Sequence, residues 1–164
     1  MSNRTTTDDL EIVKETLKAL KEDILSKFDE VLESSRKQME EVVDIVKKTV
    51  DETIKKQGTN SECLIKDIFT EASIQVKQVQ MDTEQTLTTV WATSSAIIQS
   101  VSKTAISATE NLKEEDVIAF VESIVAFFES VLNELIEHLS VMTIMCLNEL
   151  DDINKTYMQK IKKE

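Results

Sequence analysis

His138 is the only histidine of a 164-residue chain, with Glu134 one helical turn before it and Glu137 beside it. A histidine near carboxylates is the raw material of a metal site or a proton-transfer site. A di-iron helical bundle needs Glu-x-x-His pairs on two helices and further inward carboxylates. The residue three before His138 is Leu135, so that pattern fails. Zinc needs several His or Cys ligands, and Cys63 and Cys146 stand at no zinc spacing. The simpler reading of His138 is a boundary residue bonded to Glu134 or water. Serines and acids are many, but nothing orders them into a Ser-His-Asp constellation. A single glycine cannot build a phosphate-cradling loop. Paired carboxylates lie on faces that pattern as solvated, where two-carboxylate chemistry lacks a cleft. The residues therefore predict no catalytic site, no metal site and no cofactor, and a protein that is not an enzyme.

The elements that would carry these residues are helices. The chain has no proline and one glycine, the residues that punctuate turns and strand ends. Charged residues make up 30% and aromatics 4%, the balance of long helices and coiled coils. Leu10, Val13, Leu17, Leu20 and Ile24 alternate by three and four, as a heptad seam does. The seam then drifts through Phe28, Val31, Ser35, Met39, Val42, Val46, Val50 and Ile54, as a straight helix drifts against a strict seven-residue repeat. Helix 1 is predicted over about 7–57, ending where Gly58 suits a left-handed C-cap. Thr59 and Glu62 fit a capping box, with Asn60 or Ser61 as alternative caps. Helix 2 is predicted over about 60–109. Asn111 is the expected left-handed end of the second break, and Glu114, Glu115 and Asp116 suit the positive end of helix 3, predicted over about 114–162. Residues 1–6 are expected to form a flexible tail, and 7–164 a single domain. The fold class is all-α: an elongated, antiparallel, up-down-up bundle of three long amphipathic helices, completed in one reading by self-association.

Helix 3 carries more apolar surface than such a bundle uses. From Val117 to Leu147, 21 of 31 residues are apolar. At 100° per residue, Glu115, Glu122, Ser123, Glu129, Ser130, Asn133, Glu137, Ser140 and Asp151 share one arc, and the apolar remainder is roughly 220° wide. An ordinary surface helix has an apolar stripe of about 100° or a little more. Helix 3 is then either the central helix, wrapped by the others, or it meets a further partner. On the second reading the interaction face is Phe120, Ile124, Phe127, Phe128, Val131, Leu135, Leu139, Met142 and Met145. The stretch Gln85 to Ser102 has no charge in 18 residues, but ten are Ser, Thr or Gln, too polar for a bilayer span. The stretch is either a weakly patterned helix whose exposed face uses hydroxyls, or, since its small residues allow close approach, a second interface at Trp91, Ser94, Ser95 and Ile98. Trp91 is also expected as a core anchor whose indole N–H seeks a partner.

Net charge is −12, which argues against nucleic acid and against electrostatic docking on anionic lipid. Between Glu114 and Asp152 there are ten acids and no Lys or Arg, either a solvated face or a surface for a basic protein. Helix 1 mixes signs, as a salt-bridge-laced exposed helix does. The N-terminus has no apolar signal core, and a cytoplasmic location is expected. The two cysteines would sit roughly 24 Å apart along a hairpin of helices 2 and 3, too far for a bridge.

In general build, three long amphipathic helices with few turn residues, the chain resembles spectrin-like three-helix modules, and also amphipathic coat proteins such as phasins and apolipoproteins. Long helices, the lack of pocket chemistry and an apolar arc too wide for one bundle point to a non-catalytic interaction or scaffold protein that self-associates or binds a protein partner through the apolar face of helix 3. The resemblance to coat proteins implies a lipid- or apolar-surface-binding protein, not a membrane-spanning one, whose bundle opens so that its helices lie flat.

Overall fold

The computed structural model describes residues 6–163. Residues 1–5 of the expected tail therefore lie outside the described residues. Three helices follow one another: α1 (Thr6–Gln57), α2 (Glu62–Ala108) and α3 (Glu114–Lys163), with a single 3-10 turn, Gly58–Ser61, between the first two. They pack against one another as an all-α bundle, and no strand occurs among the described residues.

The first break is a backbone device. Gly58 has φ +59, and nothing lies within 4 Å of where a Cβ would stand. Glycine is needed there for its left-handed backbone rather than for space. The Ser61 hydroxyl donates to the Gly58 carbonyl at 2.5 Å. Residues 58–61 thus close their own turn, and α2 begins at Glu62, slightly later than the capping pattern predicts.

The second break departs from expectation. No described residue other than glycine has positive φ, so Asn111 does not end α2 in a left-handed conformation. Instead the Leu112 N–H donates to the Thr109 carbonyl at 3.3 Å, and the Lys113 carbonyl accepts from Asp116 at 3.1 Å and Val117 at 3.4 Å. Buried Leu112 anchors this turn. Glu114, Glu115 and Asp116 then occupy the first turn of α3, where carboxylates meet the positive end of the helix dipole.

Contacts divide the described residues into two compact units. One comprises the chain up to Val31 together with Gln85–Leu135, the other Leu32–Glu84 together with the chain from Ile136. Each takes one segment from every helix and has its own core. In the first unit, Leu17, Ile24, Phe28, Leu87, Ile98, Val117, Ile124 and Phe128 are buried together. Phe28 meets Phe128 edge-on at 6.0 Å between centroids. In the second unit, Met39, Val43, Val50, Ile65, Val76, Leu139 and Leu150 form the core. Its cross-helix contacts set the direction: Cys146 with Met39, Glu149 with Lys47, and Tyr157 with Asp51. These pairs ascend together, so α1 and α3 run parallel there.

Hydroxyls inside these cores are mostly satisfied by their own helices. Thr83, Ser102 and Thr143 each donate to the carbonyl four residues back, at 2.7, 2.7 and 3.0 Å. That local bond lets α2 keep Ser and Thr on its inner face without orphaned donors. Gln80, where the apolar signal of α2 thins, donates to the Ser140 hydroxyl of α3 at 3.2 Å. Ser35 differs: its Oγ is buried and has no hydrogen-bond partner. On α1, Arg36 bridges Glu33 and Glu40, a solvent-exposed ladder of the kind mixed charge predicts.

Candidate docking face on α3

The wide apolar arc of α3 resolves into three kinds of surface. The first is core. Of the expected face, Ile124, Phe128 and Leu139 are buried inside the chain's own units. Phe120, Val131, Leu135 and Met142 are half-buried and pack against the same two cores. All three helices supply buried residues to both cores, so α3 is a wall of each unit rather than a central axis.

The second kind lies under lysine. In the first unit the Lys14 ammonium stands over the Phe120 ring at 5.5 Å from its centroid, and Lys21 over Phe127 at 3.9 Å. The two lysines are seven residues apart, as are the two phenylalanines, so they form two rungs one heptad apart. Each ammonium stands over a ring face, where the ring's negative surface attracts it. Phe127 also meets Phe128 edge-on at 5.3 Å. Part of the aromatic surplus of α3 is thereby covered within the chain.

The third kind is open. Val141, Ile144 and Met145 are 52%, 57% and 66% exposed, and all lie in the second unit. The sequence pattern places Met145 on the interaction face and leaves out Val141 and Ile144. Their signal is present nonetheless. Glu137, Ile144 and Asp151 are seven residues apart and share one stripe. Ile144 therefore sits within the arc that is mainly polar, as Val141 does, where no core packing calls for a large apolar side chain. Along this outer line the chain reads Glu137, Val141, Ile144, Asn148, Asp151, with steps of four, three, four and three. That is the spacing of a helix-pairing seam, apolar at its centre and acidic at both ends.

The expected second interface, on α2, is mainly interior. Ser94 and Ile98 are buried, Ser95 is half-buried, and Ile98 belongs to the core of the first unit. Trp91 is half-buried rather than fully enclosed, with its ring centroid 5.0 Å from that of Phe128.

His138 is exposed on α3. Among the described residues, no group of three or more His, Cys, Asp or Glu side chains could hold a metal ion. Cys63 is exposed and Cys146 buried, and both are free thiols. Burial, with the nearby Glu149 charge adding to it, pushes the Cys146 thiol up to about 11, so it is a poor nucleophile at neutral pH. Its thiol donates to the Met39 carbonyl, with Sγ 3.7 Å from the oxygen. No helix among the described residues is long and apolar enough to cross a membrane.

In comparisons with protein-family models, curated proteins and solved structures, none matches the chain.

Proposed function

We propose that this chain is a non-catalytic interaction protein that docks a protein partner through the open seam of α3 centred on Val141, Ile144 and Met145. The observation that carries the reading is the placement of Ile144 and its neighbours. Three large apolar side chains stand more than half exposed within five consecutive residues of helix, and exposed apolar clusters mark interaction sites. Much of the remaining apolar arc of α3 has a role within the chain, in the two cores or under Lys14 and Lys21. The acids that bracket the seam favour a protein over a lipid surface, because membrane-surface helices carry Lys and Arg beside the apolar face.

The test compares partners labelled in proximity to the full chain with those of a Val141→Ser, Ile144→Ser, Met145→Ser variant. A matched Ile74→Ser, Met81→Ser variant alters exposed apolar residues of α2. A defined set of proteins that the α3 variant loses and the α2 variant keeps supports the reading. A set unchanged by the α3 variant, or flotation of the chain with phospholipid vesicles, contradicts it. Retained helical circular dichroism shows that both variants fold.

A further inference from the structure

Resting on that docking reading, we infer that the occupant of the α3 seam is a basic amphipathic helix of another protein, with large apolar residues at three- and four-residue spacing and Lys or Arg beside them. Charge decides the occupant. Around the apolar centre, α3 presents Glu137, Glu149, Asp151 and Asp152, all exposed. From Glu114 to Asn154 the helix has no Lys or Arg of its own. Lys47 of α1 reaches Glu149 at 3.8 Å, and Lys155 reaches Asp151 at 3.0 Å. Both pairs are solvent-exposed on each side, and such pairs are weak enough to exchange for a better-placed cation.

A second copy of the chain fits this seam poorly. Pairing α3 with α3 would set acid against acid at both ends, and like charges across an interface oppose association. The whole chain repeats the problem, at net charge −12. An anionic lipid surface meets the same repulsion. The seam is also short: Val141 to Met145 spans little more than one helical turn. A helix laid along it places two or three apolar anchors against Val141, Ile144 and Met145. Its flanking cations then fall beside Glu137 at one end and Asp151 and Asp152 at the other. This is the helix-in-groove mode of recognition, with charge setting the partner and the apolar centre supplying the contact.

The experiment is a binding titration of the full chain with three synthetic peptides of equal length. The first is an amphipathic helix with Leu at heptad positions and Lys elsewhere. The second keeps the Leu pattern and replaces Lys by Glu. The third scrambles the first, so that its charge is the same and its apolar stripe is gone. The first peptide is expected to bind at least about tenfold more tightly than either other, a difference of about 1.4 kcal/mol. Ile144→Ser is expected to weaken it about tenfold, as loss of a central anchor does. Ile45→Ser, at an exposed isoleucine of α1, leaves it unchanged. Equal binding of the first and third peptides overturns the inference, because charge alone would then suffice. Equal binding of the first and second, still lost in Ile144→Ser, also overturns it while leaving the docking face standing. No binding of the first peptide overturns it too, and the labelling comparison above then decides the docking face separately. Binding of the first peptide that is indifferent to Ile144→Ser overturns both. A stable dimer of the chain that Ile144→Ser dissociates gives the seam to a second copy and overturns the basic partner.

Discussion

The hydroxyl of Tyr157 donates to the Asp51 carboxylate at 2.5 Å, joining α3 to α1 across 106 positions of sequence. Burial, then the hydrogen bond to Asp51 and that residue's charge, push the phenol up to about 12, above the ~10 of a free tyrosine. Because the folded value is raised, the stability it brings is present below about pH 10 and is lost as pH rises through about 12. The chain has a single tyrosine, so tyrosinate absorbance reports this group alone. A native midpoint near 12 is expected, falling to about 10 in urea. Tyr157→Phe removes the loss of stability within that window. A native midpoint no higher than the one in urea would contradict the bond.

Phe128 and Phe127 are sequence neighbours with different roles. Phe128 is fully buried and touches Phe28, Trp91 and Phe127. Phe127 is 37% exposed under Lys21. Phe128→Ala is expected to cost about 3–5 kcal/mol. Phe127→Ala loses the lysine contact and the edge-on contact with Phe128, together about 1–2 kcal/mol. Urea midpoints of the full-length variants check this, and similar losses at both positions would contradict the division between core and lysine-covered surface.

Ser35 occupies a buried position of the second unit with its hydroxyl unpartnered. A buried donor without a partner costs about 1–3 kcal/mol, and alanine is the better helix former. Ser35→Ala is therefore expected to stabilise the chain by up to about 1 kcal/mol, read as a higher urea midpoint. A loss of comparable size would mean that the hydroxyl is bonded.

Three- and four-residue apolar spacing marks α1, and Gly58 marks the first turn, because a left-handed backbone calls for one residue type. The second turn is harder to read. Asn111 can adopt that conformation, but here the turn closes through Leu112, Lys113 and their backbone bonds, which many sequences could supply. On α3, hydrophobicity alone does not distinguish Phe128, inside, from Met145, outside. That distinction depends on the angle at which the other helices meet α3. Lys14 and Lys21 add a second layer, since charged residues cover aromatic rings that the pattern counts as surplus. Ile144 is legible in another way, as an apolar residue on a stripe of acids.

Methionine methyl groups can report on the docking face residue by residue. Met145 and Met81 are similarly exposed, at 66% and 62%, on α3 and α2, whereas Met39 is buried. With 13C-labelled methionine methyls in the full chain, the Leu/Lys amphipathic peptide is titrated and the spectra followed by NMR. If the partner docks on the α3 seam, the Met145 resonance moves saturably while those of Met81 and Met39 stay in place. A stationary Met145, or equal shifts at Met145 and Met81, would contradict docking there.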